Sequence, residues 1–145
     1  MKKKEYMNEL SDIKLWFEKA FPNPTDKNIE VQLGVHVEEF AEMLESLGLK
    51  VAAESMHILG TQLKTGRLKV SDLTIDRAEL LDSIGDQIVT GIGVAHTLGM
   101  KPVEAVVEIS ASNWSKFVGG SPIFDENGKI KKGPDYFKPD LTKFY

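Results

Sequence analysis

The chain has 145 residues, a formal net charge of −4 and 41% hydrophobic residues, which fits one globular domain and excludes a disordered chain. It contains no cysteine, so it has no disulfide, thiolate metal site or cysteine nucleophile, and we expect a reducing, cytoplasmic location. No uncharged run reaches the ~20 residues of a membrane-spanning helix, and the charged opening lacks the apolar stretch of a secretion signal. The acidic balance also argues against binding to duplex nucleic acid.

Apolar residues recur at helical spacing through the first 64 residues and predict three helices. The first helix covers 8–20 and is ended by the prolines that follow it. The second runs from a Thr25 cap to about Leu47, before a glycine in the usual C-terminal position. The third covers roughly 51–64. These helices have apolar stripes on one side, as expected for helices that pack on a common core.

A long fourth helix is predicted from Asp76, which has the position of an N-cap, to about Leu98. The alternative is a strand in Ile88-Val-Thr-Gly-Ile-Gly-Val, because this stretch is rich in β-branched residues and glycine. Gln87–Met100 carries no charge, so this half of the helix is predicted to be buried on all sides, in a bundle or against a second copy.

A fifth helix is predicted over 102–117, where Pro102 occupies the first turn. Its inward residues are expected to be Val103, Val106, Val107 and Ile109. Glycine and proline recur beyond it, and Asn127-Gly128 indicates a turn or small hairpin. The sequence therefore predicts one all-α domain over 1–145: a four- to five-helix bundle with a helical core at about 8–117 and an irregular C-terminal arm at about 118–145.

Two groups of acidic residues lie on single helix faces. They are Glu38, Glu39 and Glu42 on the second helix and Glu79, Asp82 and Asp86 on the fourth. Neither face is interleaved with the lysines or arginines that are typical of a solvated surface. Packed side by side, the two faces would form an all-oxygen site for Mg²⁺ or Mn²⁺, which would in turn hold a polyphosphate. The alternative interpretation is that both groups are solvated surface.

The ordered set of motifs resembles the all-α nucleoside triphosphate pyrophosphatases, the superfamily of MazG, the dimeric dUTPases and phosphoribosyl-ATP pyrophosphatase. Its Glu-Glu-x-x-Glu signature is matched by Glu38-Glu39-x-x-Glu42, and the acidic fourth helix leads into Leu98-Gly99-Met100. Two later segments, Asn113-Trp-Ser-Lys116 and the run from Asp125 to Asp140, resemble a MazG-like branch found in phages and bacteria. The resemblance covers roughly residues 30–141.

This resemblance implies Mg²⁺-dependent hydrolysis of a nucleoside triphosphate between its α and β phosphates, with Mn²⁺ as a substitute metal. Glu38 would accept the proton of the attacking water, and the metal would be held by Glu39, Glu42, Asp82, Asp86 and Glu79. The residues expected to bind the phosphates or the sugar are Asn113, Lys116, Lys129, Lys131 and Tyr136. The resemblance also implies a homodimer or homotetramer, in the cytoplasm of a bacterium or of a phage's host.

The second acidic motif can be aligned in two registers. By its residue string, Glu79 and Asp82 form the family's Glu-x-x-Asp pair. By its distance from Leu98-Gly99, Asp86 is the family's last aspartate, and Ser83 then stands where a glutamate belongs. Both registers place acids on the same helix face, so both remain open.

Base and sugar preference are also open. Resemblance to the phage-type branch favours deoxynucleotides, with dUTP, dCTP or a modified nucleotide as options. The candidates for a base pocket are Trp16, Phe17, Gln32, His36 and Trp114. One rival function is a catalytically silent helical module that binds a nucleotide or a protein; another is a structural oligomer whose acids are surface. A di-iron oxidase is a weaker rival, because Glu54-Ser-Met-His57 has one copy of a motif that such a site needs twice.

Overall fold

The computed structural model describes residues 8–145. The expected absence of a secretion signal concerns the charged first residues, which lie outside the described residues. The chain divides into two compact units. The first combines residues 8–22 with Ile75–Ile123 and Lys131–Tyr145, and the second combines Asn23–Thr74 with Phe124–Ile130. That both units form one folding domain stays a prediction.

Residues 8–145 contain five α-helices and no strand longer than an isolated bridge. The helices are α1 (Glu9–Ala20), α2 (Asp26–Ser46), α3 (Lys50–Lys64), α4 (Arg77–Thr97) and α5 (Pro102–Trp114), and a single 3₁₀ turn covers Val70–Asp72. The predicted all-α class is confirmed. The alternative of a strand within residues 88–94 is wrong, since this stretch lies inside α4.

Polar side chains at the helix starts explain where α2 and α4 begin. The hydroxyl of Thr25 accepts a hydrogen bond from the backbone N–H of Asn28, whose side chain in turn accepts from the Thr25 N–H. Asp76 accepts hydrogen bonds from the backbone N–H groups of Ala78 and Glu79, both at 3.1 Å. The predicted caps of both helices are therefore confirmed.

The second unit is a tight pair of antiparallel helices, α2 and α3, and two glycines permit the close packing. A Cβ atom on Gly34 would lie 2.7 Å from the carbonyl oxygen of Gly60, and one on Gly60 would lie 3.0 Å from the carbonyl of Gly34. No larger residue fits at this crossing without moving a backbone. Around it the pair buries small and branched side chains: Val31, Ala41, Ala53 and Leu63.

In the first unit α1 is fastened to α5 by two indole groups. Trp16 donates from Nε1 to the carbonyl of Asn113 at 3.0 Å, and its ring stacks on Phe117 with the centroids 5.3 Å apart. Asp12 Oδ2 accepts from Trp114 Nε1 at 2.9 Å and from Ser110 Oγ at 2.6 Å. The C-terminal arm is held in this unit through α5, because Ser112 Oγ donates to the Phe137 carbonyl at 2.8 Å.

The predicted inward face of α5 is wrong for three of its four valine and isoleucine residues. Val103, Val107 and Ile109 are 54%, 47% and 37% exposed, and only Val106 is half-buried. The buried residues of α5 are Ser110 and Ser112. Hydrogen bonds to α1 and to the C-terminal arm orient the helix, and they turn its serine side inward.

The predicted burial of α4 is not reached within the single chain, and its burial against a second copy stays a prediction. Leu81, Val89 and Ile92 are 72%, 67% and 45% exposed. Among the described helices of its unit, α4 packs against α5 alone, and most of its residues are exposed. None of the helices in residues 8–145 is both long and apolar enough to cross a membrane.

The predicted turn at Asn127-Gly128 is confirmed. Gly128 has a φ of 80°, in the left-handed region that glycine adopts without strain, and Phe124 and Ile130 form an isolated antiparallel bridge on either side of the turn. This small hairpin, Phe124–Ile130, belongs to the second unit, whereas the chain before and after it belongs to the first.

Candidate functional site

The acidic face of α2 contains an ion triad centred on Glu38. Its Oε1 atom lies 2.7 Å from Lys64 Nζ, and its Oε2 atom lies 3.2 Å from Lys129 Nζ. The Glu38 side chain is 22% exposed, whereas Glu39 and Glu42 are exposed on the neighbouring positions of the same helix. Two of the predicted site residues, Glu38 and Lys129, are thus brought into contact across 91 residues of sequence.

Lys64 reaches Glu38 because Gly34 has no side chain. A Cβ atom at Gly34 would lie 2.6 Å from Lys64 Cγ, so the aliphatic stem of the lysine occupies the space that a larger residue would fill. The backbone at Lys64 is held as well, since Lys27 Nζ donates to the Lys64 carbonyl at 2.7 Å. Packing and hydrogen bonding therefore direct the Lys64 ammonium along α2 to Glu38, one turn beyond the glycine.

Lys129 is presented by the hairpin Phe124–Ile130. The carboxylate of Asp125 accepts hydrogen bonds from the backbone N–H groups of Asn127 and Lys129, both at 2.9 Å, and the Lys129 carbonyl accepts from the Asp125 N–H at 2.8 Å. These bonds close the turn and place Lys129 at its far side. The lysine side chain is 47% exposed, although its ammonium group contacts Glu38.

The two lysines stabilise the ionised form of Glu38. Partial burial by itself raises the pKa of the Glu38 carboxyl, but the hydrogen bonds and positive charges of Lys64 and Lys129 outweigh burial and hold that pKa below its ordinary value. Glu38 is therefore ionised at neutral pH. It is also a weaker proton acceptor than an unpaired glutamate.

The acids of α4 lie in the other unit. Glu79, Asp82 and Asp86 are exposed within the first three turns of the helix, and the backbone N–H of Glu79 is one of the two that Asp76 caps. Among residues 8–145 no group of three or more histidine, aspartate or glutamate side chains is arranged to hold a metal ion. That the two acidic faces share a metal, and which register the second motif takes, stay predictions.

The remaining predicted substrate residues lie in the first unit, near the end of α5 and in the C-terminal arm. Asn113 and Lys116 are half-buried, and their carbonyls accept hydrogen bonds from Trp16 Nε1 at 3.0 Å and from the Gly133 N–H at 3.1 Å. Lys131 is exposed. Tyr136 is half-buried, and the ammonium of Lys132 lies 4.8 Å from its ring centroid.

Two residues considered for a base pocket are already engaged in the α1–α5 contact. Trp16 is 8% exposed, with Phe117 stacked on its ring and Phe17 at its edge. The indole N–H of Trp114 donates a hydrogen bond to the carboxylate of Asp12. Trp16 is therefore not accessible to a nucleobase in this structure, because its ring and its N–H both have protein partners.

A separate open groove of about 470 Å³ lies on the second unit. Its lining includes Lys50, Glu54 and Arg67, together with His57, whose Nε2 lies 3.0 Å from Glu45 Oε1. None of the predicted site residues lines it. His57 is thus paired with a glutamate of α2.

Lys64 is the functional candidate that sequence reasoning missed. It belongs to no motif, and 26 residues separate it from Glu38. The available signal was the pair Gly34 and Gly60, since glycines inside two neighbouring helices indicate close packing and space for a long side chain. No family model matches the chain, and neither a curated protein nor a solved structure matches it.

Proposed function

We propose that the protein is a Mg²⁺-dependent nucleoside triphosphate pyrophosphohydrolase that acts on deoxynucleotides. The reaction consumes one water, breaks the Pα–O–Pβ bridge and yields the monophosphate and pyrophosphate. The observation that carries the proposal is the contact between Lys129 and Glu38 at 3.2 Å. It joins two of the motifs on which the resemblance rests, an acidic helix face and a basic tail segment, within one compact unit.

The donor chemistry of the site suits a hard divalent cation, although the acids do not form a complete site within either unit. Glu39 and Glu42, one turn apart on α2, offer carboxylate oxygens, which are the ligands that Mg²⁺ prefers. Asp82, Asp86 and Glu79 on α4 are the further ligands that we propose. When bound, the metal would neutralise phosphate oxygens and lower the pKa of a bound water.

The chain's own residues have the charges that such a substrate needs. Glu38 is ionised and is the proposed acceptor of the proton of the attacking water. Lys129 lies beside it with its side chain partly exposed, as a residue that binds a phosphate must be. Asn113, Lys116, Lys131 and Tyr136 are the proposed partners for the rest of the nucleotide.

We also propose that the functional form is a homodimer or homotetramer with a MazG-like helical bundle. The support is α4, whose large apolar residues are exposed along both its halves, among them Leu81, Ile88, Val89 and Val94. A helix that is apolar on several sides is stable in water only when other chain segments cover it. A second copy of the chain offers the same apolar helix in return.

The test is an assay of the purified full chain with Mg²⁺ or Mn²⁺ and a panel of ribonucleoside and deoxynucleoside triphosphates. Ion-exchange separation should show monophosphate and intact pyrophosphate, and the substrate turned over fastest identifies the base and sugar. Diphosphate with orthophosphate would contradict the proposed bond cleavage. Folded protein that turns over no nucleotide would instead favour the catalytically silent binding module.

A further inference from the structure

Two ammonium groups from distant parts of the chain converge on one carboxylate. Lys64 ends α3 and Lys129 follows the glycine of the hairpin, yet both contact Glu38, one at each oxygen. We propose that Lys64 and Lys129 form a clamp for a phosphate group and that Glu38 holds the two ammonium groups side by side. The inference rests on the proposed function in one respect: that function identifies the ligand as the phosphate chain of a nucleotide.

The spacing of the two ammonium groups suits a phosphate. Their contacts of 2.7 and 3.2 Å to the two oxygens of one carboxylate keep the nitrogen atoms within about 8 Å of each other. A phosphate group accepts charge-assisted hydrogen bonds of about 2.8 Å on several sides. It can therefore bridge two ammonium groups at this separation while both stay in contact with Glu38.

The clamp retains donors and positive charge after Glu38 is satisfied. An ammonium group has three N–H donors, and Lys64 and Lys129 each direct one of them to Glu38. Two positive charges surround one negative charge, which leaves the triad with a net charge of +1 on an otherwise acidic helix face. A carboxylate neutralised by a single lysine would offer no such attraction to an anion.

Both lysines are positioned by contacts that a surface ion pair does not require. The stem of Lys64 lies in the space left by Gly34, and its backbone carbonyl is tied to Lys27. Lys129 stands on a turn closed by Asp125. This preorganisation lowers the entropy cost of binding a ligand, because neither side chain has to be ordered at the moment of binding.

A purely structural latch is the competing explanation. In that case Lys129 and Glu38 only tie the hairpin to α2, and Lys64 only supports the helix pair. The two explanations differ in one measurable quantity, the affinity for a phosphate compound. A latch predicts no dependence of that affinity on Lys64.

The test measures binding by calorimetry to the full chain, with inorganic pyrophosphate and with the α,β-methylene analogue of a deoxynucleoside triphosphate as probes, in the presence of Mg²⁺. Lys64→Met and Lys129→Met should each weaken binding of both probes about tenfold or more, because each removes a charge-assisted hydrogen bond. Lys50→Met is the matched control, since it removes the same charge from the exposed start of α3. Its affinity should stay within about twofold of the wild type.

Circular dichroism and thermal unfolding accompany each variant. If Lys64→Met does not fold, the comparison of Lys129→Met with the wild type decides, because Lys129 lies on a hairpin outside the helices. Lys64→Arg, which keeps the charge, should retain most of the affinity. Wild-type affinity for both probes in Lys64→Met and Lys129→Met would overturn the clamp, and so would a wild-type chain that binds neither probe.

The outcome separates the clamp from the proposed function. If the wild-type chain hydrolyses no nucleotide, but both lysine variants bind pyrophosphate more weakly than it does, the result would contradict the function and support the clamp. A chain that hydrolyses nucleotides, and whose lysine variants bind pyrophosphate as the wild type does, would support the function and contradict the clamp.

Discussion

Gly34 determines both the packing of α2 on α3 and the position of Lys64. The absent side chain lets the two helix backbones approach each other, and it leaves the space along which the Lys64 stem reaches Glu38. In a helix interior glycine costs up to ~1 kcal/mol relative to alanine. Here that cost is offset by a close contact between helices and an ion triad that depends on it.

We predict that Gly34→Ala lowers the free energy of unfolding by ~1–3 kcal/mol, because the new methyl group would overlap Lys64 Cγ and the Gly60 carbonyl. Urea denaturation measures the change. Ser55→Ala on α3 is the control: the serine is exposed and its hydroxyl donates to the Val51 carbonyl of the same helix, so this variant should stay within ~0.5 kcal/mol of the wild type. A Gly34→Ala variant with wild-type stability would show that the two helices can separate without cost.

Glu39 is the residue at which the proposed chemistry is most directly tested. Glu39→Ala removes a proposed metal ligand from an exposed position of α2, so we expect loss of nucleotide turnover by ~10²-fold or more with little change in thermal stability. The assay is the release of pyrophosphate at saturating Mg²⁺. Glu54→Ala, at an exposed acid of α3 outside the two acidic motifs of α2 and α4, should leave turnover unchanged. Wild-type turnover in Glu39→Ala would remove Glu39 from the site.

At the scale of elements, α5 shows how hydrogen bonds can outweigh an apolar pattern. Its valines suggest one inward face, but its serines are the buried side chains. Ser110 and Ser112 have partners on α1 and on the C-terminal arm, so no donor is left without an acceptor. The apolar side of α5 is consequently exposed in the single chain.

Asp12 is the acceptor on which the α1–α5 contact depends. Asp12→Ala would leave the buried Ser110 hydroxyl and the Trp114 N–H without their acceptor, and we expect a loss of ~2–3 kcal/mol in the free energy of unfolding. Asp12→Asn keeps one acceptor oxygen and should cost less. Glu18→Ala on the same helix, which breaks only an exposed pair with Lys14, should cost less than ~1 kcal/mol. Equal stabilities of Asp12→Ala and Glu18→Ala in urea would contradict this account.

At the scale of the whole molecule, the proposed oligomer rests on the exposed apolar residues of α4. Light scattering after size-exclusion chromatography should give the mass of a dimer or tetramer for the wild type. Ile88→Lys places a charge on a 45% exposed apolar position of α4 and should shift the mass toward the monomer. Gln32→Lys, at an exposed polar position of α2, should leave the mass unchanged. A monomeric wild type would contradict the proposed assembly.

Helix limits and turns were predictable because their causes are local. Thr25 and Asp76 cap the backbone within three residues, and Gly128 turns the chain at its own position. Six of the candidate site residues, the acids of α2 and α4, were identified in the same way from their spacing on one helix face. The contact of Lys129 with Glu38 was not visible in any spacing, because it joins positions 91 residues apart.

The sequence by itself determined the all-α class, the five helices, the N-caps of α2 and α4, and the turn at Asn127-Gly128, because hydrogen bonding and backbone preference within a few residues decide such features. Only the tertiary structure decided which faces are buried, because burial depends on what packs against a helix: α5 turns its serines inward, and α4 stays exposed in the single chain. It also decided the partners of Glu38. A glycine gap on α2 and a hairpin near the C-terminus bring Lys64 and Lys129 to one carboxylate, and no local pattern encodes that meeting.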